Sequence, residues 1–344
     1  MLRRFPMAKT ALLALVLAAG CAKIQARDLV REGNELYRDG RFVEAIQKYD
    51  EAEKLEPDGV TLFWNRACAA ESLVLKMKDP KQAAERKKYA DMALRDFQTW
   101  YDRLPEKTEN DAEQIEQHRL AILDADERCD DLISYWIDKH RENPKEESLY
   151  GVVARQYEKC GRDKDADEWF VKRTEDFPDS VRAWHALAIR RFEPLWPDPD
   201  SGLPYNAALS PSERRKIADE VIRLLDKATA IDPNFRDAYV WRAMAYTQRA
   251  LSRAVLENPE TPEEKLEAIL ARKDTLMAWK QQKALCDIEQ LPDCPTDKPP
   301  EGACCPPRPI SEEEEAQDAE MERDLREQLE PGKKKRRKRR RRRR

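Results

Sequence analysis

The chain has 344 residues, a length that allows one large or two modest domains. Charged residues make up 38% of it and there are only 9 glycines, a composition that is typical of exposed helices and argues against a β-rich fold with many tight turns. The net charge of −4 conceals a separation of charge, because residues 21–332 carry −19 and the last twelve residues carry +12.

The N-terminus has the pattern of an export signal. Arg3, Arg4 and Lys9 precede a short apolar run over residues 11–19. This run is about half of the roughly 20 residues that a helix needs to cross a bilayer. We therefore predict that residues 1–20 form a secretory signal peptide that is removed from the mature protein.

The signal ends with Leu17-Ala18-Ala19-Gly20-Cys21, which resembles the lipobox of bacterial lipoproteins. Ala18 departs from the family, which prefers Leu three residues before the cysteine. The resemblance implies cleavage before Cys21, acylation of that cysteine with palmitate-type chains, and anchoring to the outer membrane with the protein facing the periplasm. The alternative is an ordinary signal peptide that ends by chance in a cysteine.

Self-similarity is the strongest signal in the rest of the chain. Small, alanine, aromatic and proline positions recur at one spacing, first as Gly33, Tyr37, Ala45, Tyr49, Ala52 and Pro57, and again as Tyr150, Ala154, Tyr157, Gly161, Ala166, Phe170 and Pro178. Both stretches resemble the tetratricopeptide repeat (TPR), except that Arg173 stands where the family has a small residue. The resemblance implies helix pairs that bury their apolar stripes by stacking into a right-handed α-solenoid.

Weaker matches indicate further helix pairs. In one pair, Phe63 and Ala67 mark the first helix and Ala93 and Phe97 mark the second. In another, Trp184, Leu187 and Ala188 mark the first helix and Val221, Leu225 and Ala228 the second. In a third, Tyr239, Ala243 and Tyr246 mark the first helix, and the second runs from Pro262 to about Ile288. Residues 112–144 form a degenerate pair. We predict an all-α fold, a TPR-type α-solenoid of five or six helix pairs within residues 21–292. Capping residues followed by proline predict helix starts at Asp79, Asn143, Ser210 and Thr261.

No catalytic motif is present in the sequence. The histidines His118, His140 and His185 are scattered, without metal-ligand or nucleophile spacing around them. We therefore expect no catalytic residue, no metal and no cofactor, and we do not expect an enzyme.

The first helix of each TPR pair lines the concave groove in the family, and the resemblance places a partner-binding groove there. Its predicted residues are Arg27, Asn34, Tyr37, Arg38, Arg155, Lys159, Arg182 and His185. Basic groups on an otherwise acidic body suggest a groove that accepts carboxylates of a protein or peptide partner. The alternative is a set of solvated helix-face charges paired with neighbouring Glu and Asp.

Two other features carry open alternatives. The proline-rich insertion at residues 192–211 either forms a second contact surface or packs back on its own helices. Cys68, Cys129 and Cys160 lie in helical patterns and are expected to be thiols, whereas Cys286, Cys294, Cys304 and Cys305 cluster near prolines and are expected to form local disulfides.

The C-terminal region changes composition twice. Residues 293–332 form a proline-rich and then acidic linker that is expected to be partly helical, and residues 333–344 form a polybasic tail that is expected to be disordered. The polyanion-binding residues are predicted to be Lys333, Lys334, Lys335, Arg336, Arg337, Lys338, Arg339 and Arg340. In an exported protein their ligand is an anionic lipid or envelope polymer, and nucleic acid is not expected. The alternative is a solvated tail neutralised by residues 311–330.

Together these features predict a lipid-anchored TPR scaffold that mediates protein–protein interactions at the cell envelope. The resemblance extends to lipoproteins that serve outer-membrane assembly, pilus, secretion and gliding-motility machines. One alternative is a cytosolic TPR protein whose polybasic tail binds nucleic acid. Another is a cell-wall enzyme with an unrecognised active site.

Overall fold

A computed structural model describes the chain over residues 7–253, 256–291 and 311–329, with side chains from Ala22 onward. Over these ranges the fold is all-α, with thirteen α-helices and no strand, which confirms the predicted class. None of the helices in this part of the chain is both long enough and apolar enough to cross a bilayer. The chain divides into two compact units, Met1–Asn143 and Pro144–Arg344.

The first unit consists of three helix pairs. Its helices are α1 Met7–Arg38, α2 Phe42–Leu55, α3 Val60–Lys76, α4 Ala83–Arg103, α5 Glu109–Ala125 and α6 Cys129–Glu142. Helix α1 packs on α2, α3 on α4 and α5 on α6, while α2 contacts α3 and α4 contacts α5. The three pairs predicted for this part of the sequence, including the degenerate one, are therefore confirmed.

The close approach of α1 and α2 depends on Gly33. A Cβ atom at this position would lie 2.5 Å from the ring of Tyr49, and that ring is buried in the core. The Tyr49 hydroxyl then donates to Asn34 Oδ1 on α1 at 2.8 Å. The small residue and the aromatic residue of the repeat pattern thus form one contact, which sets the distance between the two helices.

We predict that Gly33→Ala lowers the free energy of unfolding by about 1–3 kcal/mol, because the added methyl group displaces the buried Tyr49 ring. Urea denaturation followed by circular dichroism measures the change. Gly151→Ala in the second unit is the matched control, since its Cβ would meet the ends of two long side chains, Arg173 at 3.3 Å and Arg155 at 3.6 Å, rather than a buried ring. Equal losses in the two variants would contradict a specific role for the Tyr49 contact.

The second unit has three further pairs and one additional helix. Its helices are α7 Glu147–Lys159, α8 Asp163–Asp176, α9 Val181–Phe192, α10 Pro211–Ile231, α11 Arg236–Leu251, α12 Pro262–Ile288 and α13 Glu312–Leu329. Helices α7 and α8, α9 and α10, and α11 and α12 form pairs, and α13 packs on α12. With the three pairs of the first unit, this gives six pairs in the described ranges, the upper number predicted.

Arg173 departs from the repeat pattern, and the structure shows how the departure is accommodated. Its guanidinium donates to Glu147 Oε1 on α7 at 2.6 Å. Gly151 lies beside it, and the absence of a side chain there leaves room for the guanidinium. The same carboxylate accepts a hydrogen bond from the Ser180 hydroxyl at 2.6 Å, so that Glu147 joins the α7–α8 pair to the start of α9.

Helix starts follow the capping signals in part. Ser210 and Thr261 each form a capping box with the glutamate three residues later, as predicted. Asp79 caps a short 3₁₀ turn over Pro80–Gln82, and α4 begins only after it. The predicted start at Asn143 is wrong: α7 begins at Glu147 and is capped by Glu146, whose side chain accepts a hydrogen bond from the Ser148 backbone.

The proline-rich insertion between α9 and α10 packs back on its own unit. Leu195 is fully buried. The Gln248 side chain on α11 donates to the carbonyl of Pro204 at 2.9 Å, which holds the far end of the insertion. Trp196 and Leu203 nevertheless remain 48% and 40% exposed.

The cysteines differ from expectation at two positions. Cys68 is a thiol, as expected, and burial raises its pKa to about 12. Cys129 and Cys160 are disulfide-bonded, so the prediction of thiols there is wrong. Helical context alone does not distinguish a buried thiol from one that meets a second cysteine in the fold. Cys286 is also disulfide-bonded.

Candidate functional site

The arginines of the first helices fall into two groups, and the first group is structural. In the first unit, Arg66 on α3 donates to Asp96 on α4 at 2.6 Å and to Asp50 on α2 at 2.7 Å. Asp96 is only 1% exposed. Although burial opposes its charge, the hydrogen bonds that Arg66 donates to Asp96 and Glu53 raise its pKa, and it therefore stays charged.

The second unit repeats this arrangement. Arg249 on α11 donates to Asp274 on α12 at 2.8 Å and to Asp219 on α10 at 2.7 Å. Burial opposes its charge, but these two carboxylates raise the pKa of Arg249. Arg191 on α9 likewise pairs with Asp167 on α8 at 2.6 Å and with Glu220 on α10 at 3.1 Å. In each case one arginine of a first helix joins the second helices on either side of it, and we call these three residues the bridging arginines.

We predict that Asp96→Asn lowers the free energy of unfolding by about 3–5 kcal/mol, because it leaves the buried charge of Arg66 without its main partner. Chemical denaturation of the variant and of the wild type measures the loss. Asp28→Asn is the control, since Asp28 forms an exposed pair with Arg31 at 3.3 Å and is expected to change stability by at most about 1 kcal/mol. A loss at Asp96 no larger than that at Asp28 would show that Arg66 does not need Asp96 as its partner.

The predicted groove residues of α1 divide into exposed and engaged side chains. Arg27 and Arg38 are exposed and form no ion pair with the described residues; Arg38 donates only to the backbone carbonyl of Asn34 at 3.2 Å. Asn34 itself accepts hydrogen bonds from Tyr49 and, at 3.0 Å, from Asn65 on α3. Two cations on this helix are therefore available to a partner, while Asn34 connects three helices.

Tyr37 also has a structural role. Its ring lies 5.3 Å from the ring of Phe42, and it packs against the core of the first unit. The position of Tyr37 in the repeat pattern is equally compatible with this packing and with a place in a groove.

The predicted groove residues of the second unit lie on α7 and α9. Arg155 and Arg182 are exposed and make no ion pair within the part of the chain that the structure describes. Lys159 is the exposed last residue of α7. These cations are on first helices, where the sequence predicted them.

His185 does not contribute a positive charge to this surface. Its ring is partly buried and lies 5.0 Å from the ring of Phe235. Burial lowers the pKa of His185, against the nearby charge of Asp237. The imidazole is therefore neutral at neutral pH, and its buried Nε2 has no hydrogen-bond partner among the described residues.

A cleft between α4, α5 and α6 adds a cation that sequence reasoning missed. It has two adjoining parts of about 340 Å³ and 440 Å³, both of which are lined by Gln98, Ile115, Arg119 and Asp131. Apolar side chains on α4 and α5 lie beneath one part. Arg119 is exposed and forms no ion pair in the described ranges. Residues 112–144 carry no repeat consensus. The only sequence signal for this cation was therefore the position of Arg119 one helical turn from the apolar residues Ile115 and Leu123.

His118 holds α5 in the position that forms this cleft. Its ring stacks on Phe97 of α4 at 4.4 Å, and its Nδ1 lies 2.8 Å from Glu71 Oε2 on α3. The histidine thus connects the degenerate pair to the preceding one.

The remaining predicted sites lie in parts of the chain whose side chains the structure does not describe. The side chain of Cys21, the predicted lipidation site, lies outside the described residues, and so do the polyanion-binding residues Lys333 to Arg340. Among the residues that are described, no three His, Cys, Asp or Glu side chains are grouped so as to hold a metal ion.

Comparison with known proteins gives structural likenesses only. No family model matches the chain, and no curated protein matches it. Similar solved structures include the C-terminal part of a TPR protein from Cytophaga hutchinsonii, with a TM-score of 0.31, 14% identity, and coverage of 76% of this chain and 95% of that one. A TPR protein from Parabacteroides merdae has a TM-score of 0.29 and 16% identity, with 77% and 93% covered.

A third likeness is to YrrB, described as a TPR protein with an unusual peptide-binding site, at a TM-score of 0.26 and 11% identity, with 76% of this chain and 85% of that one covered. The assignment of this chain to the class of all-α proteins built from TPR-type helix pairs follows from its own helices and contacts.

Proposed function

We propose that this protein is a scaffold that binds other proteins through the first helices of its pairs. The observation that carries the proposal is the contrast between the two groups of arginines. The bridging arginines Arg66, Arg191 and Arg249 form ion pairs with carboxylates of their own unit. Arg27 and Arg155 also lie on first helices and have no such partner in the described ranges.

The chemistry of these unpaired cations defines the partner. A guanidinium binds a carboxylate through two parallel hydrogen bonds, which makes the exposed arginines suited to acidic side chains or a free C-terminus. The alternative, in which the helix-face cations are paired with neighbouring Glu and Asp, fits the bridging arginines. Arg27, Arg119, Arg155 and Arg182 form no ion pair with a described residue, although the charges of Arg182 and Arg155, respectively, lower the pKa of Glu147 and oppose the rise in the pKa of Glu158. We therefore infer a peptide or protein partner that is rich in carboxylates.

We predict that reversing these charges abolishes partner capture without unfolding the protein. Two variants test the units separately, Arg27→Glu with Arg119→Glu and Arg155→Glu with Arg182→Glu. The probe is a pool of synthetic peptides rich in Asp and Glu with free C-termini, and the comparison pool has Asn, Gln and a C-terminal amide. Because a hydrogen bond to a charged group contributes about 1.5–3 kcal/mol, we expect at least tenfold weaker binding in the variant whose unit holds the peptide.

The control carries the same number of charge reversals on second helices. Lys54 on α2 and Lys227 on α10 are exposed and form no ion pair with any described residue, so Lys54→Glu with Lys227→Glu should bind the acidic pool as the wild type does. Circular dichroism should show the same helix content in all proteins. The proposal would be wrong if both charge-reversal variants of the first helices bound the acidic pool as tightly as the wild type does, or if the wild type bound the acidic and amide pools equally.

The location of this scaffold is the second part of the proposal. We infer a lipid-anchored protein of the cell envelope, held to the outer membrane through Cys21, facing the periplasm and serving an assembly, pilus, secretion or gliding-motility machine. The lipobox-like sequence supports it. The disulfide bonds at Cys129, Cys160 and Cys286 also support it, because disulfides persist in oxidising compartments and are rare in the cytosol.

The polybasic tail adds a second attachment in this proposal. Each Lys or Arg near an anionic membrane surface contributes about 1 kcal/mol, so residues 333–344 would bind anionic lipid or envelope polymer firmly at low salt. This binding is screened as the ionic strength rises, whereas acyl chains hold a protein at any salt concentration.

We predict that Cys21→Ser moves the protein from the membrane fraction to the soluble fraction after a high-salt wash, because the acyl anchor is lost and the tail is screened. At low salt the Ser variant should remain partly bound, and deletion of residues 333–344 in that variant should release it. Immunoblots of the fractions and the intact mass of the wild type measure anchoring and acylation. Retention of the Ser variant at high salt would show that the lipid anchor is not what holds the protein, and an intact N-terminus with nucleic acid bound would favour the cytosolic alternative.

A further inference from the structure

Helix α13 is attached to the second unit in a different way from the other helices. It runs antiparallel to α12, and three ion pairs join the two helices: Arg272 with Asp318, Lys273 with Glu322, and Lys280 with Glu315. Arg272 makes two hydrogen bonds to Asp318, at 3.0 and 2.5 Å. The junction is therefore built mainly from charges of opposite sign.

The contacting face of each helix follows helical spacing. On α12, Ile269, Arg272, Lys273, Leu276 and Lys280 occupy one face, and Ile269 and Leu276 are buried. Asp274 and Gln281 lie on the neighbouring face, where they contact arginines of α11. We call the face formed by Ile269, Arg272, Lys273, Leu276 and Lys280 the outer face of α12.

The side of α13 that faces the outer face of α12 carries three carboxylates, followed by one apolar residue near the C-terminal end of α13. Glu315, Asp318, Glu322 and Leu325 follow spacings of three and four residues, and Leu325 is the only buried residue of the helix. Glu313, Glu320 and Asp324 lie on the opposite side, are exposed, and form no ion pair within the described ranges. The helix is thus acidic all round, but only one side of it is used.

Docking of this kind is weak compared with the other junctions of the unit. Exposed ion pairs contribute little because water and salt screen them. By contrast, α10 and α11 meet through a core that includes Val221, Leu225, Ala238 and Tyr246. Helix α13 is therefore the helix of this unit that is expected to open first.

We propose that the outer face of α12 is a docking site for acidic amphipathic helices, that α13 is its built-in occupant, and that a partner helix with the same carboxylate spacing displaces α13. The charge complementarity and the single apolar anchor carry the proposal, and it does not depend on the groove cations of the first helices. Residues 292–310 tether α13 to α12 in the sequence, so a partner competes with an occupant at an effective concentration in about the millimolar range. Release of α13 should therefore raise the measured affinity for a free acidic helix.

The test uses the full-length chain and a labelled peptide with the sequence of residues 311–329, acetylated and amidated. A release variant changes Glu315, Asp318 and Glu322 to Lys. A matched control changes Glu313, Glu320 and Asp324 to Lys, which alters the net charge equally but leaves the docked side intact. Hydrogen exchange of the α13 amides reports docking, and fluorescence anisotropy reports binding of the peptide.

We expect the α13 amides of the release variant to exchange at least tenfold faster than those of the control, and the release variant to bind the peptide at least tenfold more tightly. Changing Arg272, Lys273 and Lys280 to Glu should free α13 and abolish peptide binding. Combining these changes with those of the release variant should restore slow exchange, which shows that the protein still folds. Equal exchange in the release variant and the control, or a freed outer face that does not bind the peptide, would overturn the proposal.

Discussion

An arginine that bonds carboxylates on both flanking helices fixes the axial position of three helices at once. Arg66 does this in the first unit and Arg249 in the second. The desolvation of two buried charges is costly, so the pair adds little net stability, but a shifted register would leave a charge buried without its partner. The bridging arginines therefore act mainly as determinants of register.

This constraint explains how the pairs tolerate long insertions. Residues 77–82 separate α3 from α4, and residues 193–210 separate α9 from α10, yet both pairs form. If loop length set the register, insertions of this kind would shift one helix along the other. Arg66 and Arg191 set the register across the pair instead, so the connection is free to vary.

The helix pairs were predictable because their signals are local. Tyr49 and Ala45 recur at a spacing that identifies a second helix, and the capping boxes at Ser210 and Thr261 mark helix starts within four residues. The bridging arginines were not predictable in the same way. On a helical wheel Arg66 resembles a solvated charge, and its partners Asp50 and Asp96 lie 16 and 30 residues away in the chain. Only the fold shows which charges are paired.

The same limit applies to the candidate site. Arg27, Arg155 and Arg182 lie exposed on first helices, but position in the repeat could not show that Asn34 bonds Asn65 or that Phe235 packs against His185. The acidic segment after residue 310 was assigned from its own composition, as part of a partly helical linker over residues 293–332. The cations of α12 add partners that this composition does not show, because Asp318 pairs with Arg272, and Glu322 pairs with Lys273 in addition to Arg326 of its own helix. Charge patterning in this chain is therefore decided between helices: carboxylates of second helices neutralise arginines of first helices, and the cations left over define the surfaces on which a ligand can bind.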